Sequence, residues 1–275
     1  MWQIGGESVR PKTRMALAKN PRGISKMKRL LASVALMTLV TACATPYRPI
    51  PFDRATSGIS TIQVVEDAVP AKSNVRKLAT NGQNMASATG GLGLAGLVVG
   101  LAAAGIEAGI ADNQNKKING ALESQKFDGE AVFDAAFEAE LKAQNFDIAV
   151  NKTARAENHG MVVIAPQPDA AAGTAVLDIN GYAYGYQQVG GTKNWRPYVV
   201  VKLMMYDAKD PKNVLLDNQV EYNAVAPVPL TVNVPVDETY TFESAEAIAA
   251  DPVKATEGLT KAIEASARAA AQLLK

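Results

Sequence analysis

One cysteine and one histidine stand among 275 residues, and they bound the chemistry at once. A structural zinc site takes about four Cys or His ligands, and a single thiol forms no disulfide within its own chain. Neither a metal centre nor a disulfide framework is expected. His159 lies in Glu157-Asn158-His159-Gly160, a polar, turn-like stretch. To act as a base it needs a carboxylate behind it and a nucleophile in front, and no Gly-x-Ser-x-Gly elbow supplies that nucleophile. Asp207, Asp210 and Asp217 fall at turns and strand ends, where carboxylates are ordinary. Asp237-Glu238 is one acidic pair in a proline-rich stretch, too few oxygens for a hard cation. Gly91-x-Gly93-x-x-Gly96 has the dinucleotide spacing, but that loop must leave a strand and open a helix. Upstream stands Asn81-Gly82-Gln83-Asn84-Met85-Ala86-Ser87, which is no strand. The inventory points away from an enzyme and calls for no cofactor.

The cysteine acquires meaning from its context. Lys26-Met27-Lys28-Arg29 is a short basic cluster, and residues 30–40 follow without a charge, ending in Val40-Thr41-Ala42-Cys43. A basic start, a short apolar run and small residues at the cut are the layout of a secretory signal. The run is shorter than the ~20 residues a spanning helix needs. Val40-Thr41-Ala42-Cys43 resembles the lipobox of bacterial lipoproteins. That resemblance implies cleavage between Ala42 and Cys43 and acylation of Cys43, which becomes the first residue and anchors the chain in a membrane. In the lipoprotein sorting rule Asp after the cysteine retains the protein in the inner membrane. Ala44 stands there instead, which implies the periplasmic face of the outer membrane. Residues 1–26 are polar and basic without periodicity, so Met27 reads as a more natural start than Met1. Residues 1–42 are therefore set apart from the fold.

The elements that must position any site begin after the anchor. Residues 43–58 hold three prolines and read as an extended tether, long enough at ~3.3 Å per residue to hold a domain ~50 Å from a bilayer. The domain is expected over 59–275, opening on a strand at 59–65. Residues 85–111 are rich in Gly and Ala, with Glu107 alone charged between Leu92 and Ile110. Gly96-xxx-Gly100, continued by Ala104, and Gly105-xxx-Gly109 are pairs that let helix backbones approach closely. The segment resembles the glycine zippers of some bacterial envelope proteins, which implies a membrane or self-association contact. Internal packing of a Gly/Ala-rich helix or hairpin is the other reading. Asn113-Gln114-Asn115-Lys116-Lys117 reads as the polar surface that ends it.

Farther on, Val132, Phe133, Ala136, Phe137 and Leu141 recur at helical spacing over 127–145, with Asp128 placed to cap the start. Short strands are expected at 146–150 and 161–164, then a meander of three at 174–187, 198–207 and 214–223. Pro227, Pro229 and Pro235 restrict 225–242 to a loop or an edge strand. Asp251-Pro252 opens a last helix with Leu259, Ile263, Ala267, Ala270 and Leu274 on its apolar side. The fold class is α+β: an antiparallel sheet with helices packed on one face, plus the Gly/Ala-rich helical segment.

Period two along 174–187 places Ala175, Leu177, Ile179, Gly181, Ala183 and Gly185 towards the helices. Asp178, Asn180, Tyr182, Tyr184 and Tyr186 then face outward. On the next strand Val199, Val201, Leu203 and Met205 face in, and Tyr198, Lys202, Met204 and Tyr206 face out. Tyr182, Tyr184, Tyr186, Tyr198 and Tyr206 together read as a partner face, since such side chains are enriched at interfaces. Coverage of that face by another part of the chain is the alternative.

Glu140-Leu141-Lys142-Ala143-Gln144-Asn145-Phe146, Ala175-Val176-Leu177-Asp178-Ile179-Asn180-Gly181-Tyr182 and residues 199–207, behind a lipobox, resemble small periplasmic lipoproteins with a TolB-N-terminal-like or curli-channel-like domain. That likeness of pattern implies a non-enzymatic structural or accessory subunit of a secretion, export or cell-wall assembly. Its partners are the membrane, through the lipid, and a second copy or an envelope protein. Nucleic acid is not expected: Lys and Arg number 28 against 27 Asp and Glu, so no global field recruits it. The alternatives are a periplasmic hydrolase, which a clustered pocket of carboxylates would favour, and a glycan-binding module that uses the Tyr182, Tyr184 and Tyr186 face.

Overall fold

The three expected strands form the meander and carry the structure. In the computed structural model, which describes residues 47–78, 108–155, 162–189, 193–224 and 230–275, they are β4 (Thr174–Val189), β5 (Trp195–Asp207) and β6 (Val214–Tyr222). Both of their pairings are antiparallel. Around them the sheet is mixed rather than purely antiparallel. β1 (Thr61–Val65) lies parallel between β4 and β3 (Asp147–Asn151), β2 (Asn74–Leu78) runs parallel to the far half of β4, and β7 (Val232–Val234) is parallel to β6. The order is β3-β1-β4-β5-β6-β7, with β2 beside β4, seven strands in all. Parallel neighbours need a crossover between them, and strand and helix spacing alone does not reveal which strands a crossover will join. The stretch 162–164, expected as a strand, is none.

The longer helices among the described residues lie on one face, as the α+β pattern predicts. α3 (Gly129–Ala143) buries Phe133, Phe137 and Leu141, the expected stripe, and Asp128 caps it by accepting from the Ala131 N–H. Asn145, in the left-handed region that Asn tolerates, ends it. α5 (Pro252–Gln272) buries Leu259, Ile263, Ala267 and Ala270, and Asp251 accepts from the Lys254 N–H at its start. With Ile62 of β1, Val199, Val201, Leu203 and Met205 of β5, and Leu216 and Val220 of β6, these form one continuous core.

Among the described residues, two helices longer than a single turn are not legible beforehand. α2 (Ala108–Ser124) takes in Asn113 to Lys117, the stretch that reads as the polar surface ending the Gly-rich segment. Only Ile118 and Leu122 of its described side chains are fully apolar and buried, too thin a stripe to show a period. Its asparagines serve as substitute strand partners. Asn115 Oδ1 accepts from the Val75 N–H at 2.6 Å, and the Asn119 amide both accepts from the Ser73 N–H and donates to the Ser73 carbonyl. These side chains satisfy backbone groups beside β2 that would otherwise cost free energy when buried. α4 (Ala245–Ala250), capped by Ser244, is the other.

The stretch expected as a tether does not hang free. Ile50 exchanges both backbone hydrogen bonds with Asp217 on the flank of β6, at 2.8 and 3.0 Å. The Tyr47 hydroxyl donates to Asp217 Oδ1 at 2.9 Å, and burial together with that carboxylate drives its pKa upward. Lys202 reaches the same carboxylate at 3.5 Å. Phe52 enters the core. Asp53 caps a one-turn helix, α1 (Arg54–Ser57), whose Arg54 guanidinium lies 3.9 Å from the Phe146 ring centroid. The prolines at 46, 49 and 51 favour extended chain, and extended chain can pair with an open strand edge as readily as with water.

A bulge interrupts β4. The register runs Asn180 opposite Lys202 and then Ala183 opposite Val200, so one extra residue sits on β4. An extra residue reverses the side-chain alternation beyond it. Ala175, Leu177 and Ile179 face the helices before the bulge, and Tyr182, Tyr184 and Tyr186 face them after it.

Candidate functional site

The expected partner face is not a surface. Tyr182, Tyr184 and Tyr186 are buried under the helices, with Tyr186 fully inaccessible. Phe133 meets Tyr182 edge-on at 5.2 Å, and Tyr186 meets Phe242 edge-on at 5.6 Å. The Tyr186 hydroxyl donates to the Ala255 carbonyl at 2.7 Å. A Cβ at Gly129 would come within 3.1 Å of the Tyr184 ring, so the start of α3 rests directly on it. Burial drives the pKa of all three phenols upward. Tyr198 and Tyr206 do lie on the face away from the helices, as expected, yet both are buried there.

What covers Tyr206 is visible. Val162 and Ile164 lie over Val65, Val176 and Tyr206 as a second small core. One ion pair holds that cover down. Arg155 Nη2 donates to Asp178 Oδ1 at 2.7 Å with both side chains out of solvent, and the Val162 N–H and the Asn180 amide donate to the other carboxylate oxygen. Desolvation pushes the Tyr206 phenol up to about 12.

A second polar network joins the other end of this face. Arg76 Nε donates to Gln187 Oε1 at 2.8 Å, and its guanidinium lies 3.7 Å from the Tyr198 ring centroid. Glu221, which accepts from the Gln219 amide, balances its charge. Burial lowers the Arg76 pKa and raises that of Glu221. Four strands are tied here by side chains that satisfy one another. A Cβ at Gly185, where φ is +148°, would strike the Asn74 backbone, so only glycine lets β2 approach β4 this closely.

Described residues line two depressions. Between α3 and α5 runs an open groove of about 710 Å³, floored by Ala131, Val132, Ala135 and Ala136 and rimmed by Lys126, Asp128, Glu264 and Arg268. Between α3 and the β1–β3 pair is a crevice of about 120 Å³ lined by Glu66, Asp67, Glu130, Asp134 and Glu138 over Phe137, Ile148 and Ile179. Partial burial, reinforced by Glu130, Glu138 and Asp128, pushes the Asp134 carboxyl up to about 6. Glu130, Asp134 and Glu138 recur every four residues on one face of α3, a spacing the sequence shows, whereas Glu66 and Asp67 join them only through the packing of the chain after β1. Among the described residues no three acidic, Cys or His side chains are arranged to hold a metal ion.

Asp134 yields a pH-dependent prediction. Its folded pKa lies above the ordinary carboxylate value of 3.8, so its charge opposes folding as the pH rises from about 4 to about 6 and beyond. Asp134→Asn should therefore raise the melting temperature at pH 7 and leave it nearly unchanged near pH 3.5. Thermal melts of both proteins across that range test this, and equal stability at pH 7 would remove the proposed repulsion.

Ala42, Cys43, Gly96, Gly100, Ala104 and Gly105 lie outside the described residues, as does His159, while Gly109 stands in the first turn of α2. Asp217 is engaged by Tyr47, Ile50 and Lys202. Asp207 accepts from the Lys209 and Asp210 N–H groups, Asp210 from that of Lys212, and Asp237 from that of Thr239, all local turn bonds. No helix among the described residues is long and apolar enough to cross a membrane. Comparison with protein-family models, with curated proteins and with solved structures gives no significant match.

Proposed function

We propose that the protein is an outer-membrane lipoprotein, held on the periplasmic face by an acylated Cys43, that serves as a non-enzymatic structural or accessory subunit of an envelope assembly. The observation that carries this reading is the coincidence of the chain's single cysteine with a basic cluster, a short apolar run and Val40-Thr41-Ala42-Cys43. Each buried CH₂ of an acyl chain contributes ~0.8 kcal/mol, so two or more chains anchor firmly. A folded unit that starts at Pro46, just behind that cysteine, is consistent with it. The Gly-rich stretch 85–111 supplies the element for self-association or membrane contact.

The test is the mass and fractionation of the protein from Gram-negative cells, wild type against Cys43→Ser. A chain beginning at acylated Cys43 in the outer membrane, released or mislocalised by the substitution, is the expected result. An intact N-terminus on a soluble cytosolic protein would overturn the reading.

The acid-lined crevice favours a second reading, a periplasmic hydrolase with Asp134 as proton donor. A carboxyl raised to about 6 is what general-acid cleavage of a glycoside requires. Against it, about 120 Å³ is well short of the ~300 Å³ at which small-molecule sites begin. Release of reducing sugar from peptidoglycan by wild type but not by Asp134→Asn would establish the hydrolase. The glycan-binding form of this alternative rested on tyrosines that are buried.

A further inference from the structure

We propose that the flank of β6, carrying Tyr47, Arg48, Ile50 and Leu230, lies against the phospholipid bilayer that anchors Cys43, so that the domain rides on the membrane in one orientation. This rests on the lipoprotein reading above and adds to it a contact surface. Tether length is the first argument. Only Ala44, Thr45 and Pro46 separate Cys43 from Tyr47, whose side chain is already bonded to Asp217 on β6. Four residue steps span at most ~14 Å. By the size scaling of compact domains, a body the length of residues 46–275 has a radius of gyration of ~17 Å and is ~45 Å across. A leash a third of the body's width cannot present the far side to the bilayer.

Surface chemistry is the second argument. Large apolar side chains that remain exposed are few among the described residues, and two of the five lie on this flank. Ile50 is 41% exposed although its backbone is paired to Asp217. Leu230 is 75% exposed and stands two residues ahead of Val232, which pairs with Val220 on the same edge of β6. Arg48, between Tyr47 and Ile50, is exposed and carries a positive charge suited to anionic headgroups. At an aqueous surface Ile50 and Leu230 gain nothing, whereas at the headgroup–acyl boundary each buries apolar area.

The sheet supplies its own control. Val150 is 57% exposed on β3, the opposite edge, five strand spacings or ~24 Å from β7. Ile50→Trp, Leu230→Trp and Val150→Trp, each purified from the membranes of expressing cells and its acylation checked by mass, are placed in vesicles with or without brominated phosphatidylcholine. Trp195 is buried in the core, so wild type provides the background emission. The expected result is that the tryptophans at 50 and 230 lose most of their added emission to the bromines while the one at 150 keeps it. Acylated protein with 50 and 230 unquenched, or with 150 quenched equally, would overturn the proposed orientation and leave the lipoprotein reading standing. Protein without an acyl group would remove both.

Discussion

Tyr186→Ala is expected to lower folding stability by about 3–5 kcal/mol, the cost of emptying a buried aromatic site. The ring is fully inaccessible, packs edge-on against Phe242 and fixes the start of α5 through the Ala255 carbonyl. A domain commonly holds only 5–15 kcal/mol in total, so the loss is a large share of it. In urea, the midpoint should fall with the slope unchanged. A tyrosine on a solvent face would behave differently, since such substitutions usually stay within about 0.5 kcal/mol. Two phenylalanine variants sharpen the test. Tyr186→Phe removes the phenol's bond to the Ala255 carbonyl, which keeps its helical N–H partner, and should cost about 0.5–1.5 kcal/mol. The buried Tyr182 hydroxyl meets no hydrogen-bond partner among the described residues, so Tyr182→Phe should be neutral or stabilising. A midpoint for Tyr186→Ala within error of wild type would contradict the burial described for β4.

The other large effect is expected at the Arg155–Asp178 pair. Asp178→Ala leaves the Arg155 guanidinium buried without its carboxylate and strips the Val162 N–H and the Asn180 amide of their acceptor. Removing one partner of a buried pair costs about 3–5 kcal/mol, most of it the uncompensated charge. Part of the damage should be local. The 162–164 cover over Val176 and Tyr206 depends on this anchor, so limited proteolysis should open the chain near it before the meander unfolds. Pairing Asp178→Leu with Arg155→Met removes both charges and should recover most of the loss, because a buried pair can often be replaced by apolar side chains at little cost. If the double variant is as unstable as Asp178→Ala, the shape of the anchor matters rather than its charge.

The apolar stripes and caps of α3 and α5 are legible in the sequence, and what polar bonds or a bulge determine is not. Phe133, Phe137 and Leu141 on α3, and Leu259, Ile263 and Ala267 on α5, stand at helical spacing and are buried as that spacing demands. Asp128 and Asp251 mark both starts and cap them. β2 and α2 escaped because their stability does not lie in an apolar pattern. Asn115 and Asn119 bond to the backbone at Val75 and Ser73, a relation between residues about 40 apart. The Asp134 crevice was half legible: Glu130, Asp134 and Glu138 share one helix face by their spacing of four, but Glu66 and Asp67 meet them only once β1 and α3 are packed. The tyrosines were misplaced by arithmetic. Counting in twos from Ala175 is right up to Asn180 and wrong beyond it, because nothing in Asn180-Gly181-Tyr182-Ala183 except the glycine hints at an extra residue.

That extra residue gives β4 two reading frames. Upstream of it odd-numbered residues belong to the helix side, and downstream even-numbered ones do. A single-residue deletion between 180 and 183 is therefore a frameshift in space. It would exchange inside for outside along the rest of the strand, turning three tyrosines away from the helices and moving Gly185 off the one place where β2 needs it. Drift in length is ordinarily tolerated in loops and rare in strands. Here the intolerance is concentrated in four residues, and insertions or deletions there are expected to be as disruptive as the loss of the core aromatic side chains themselves.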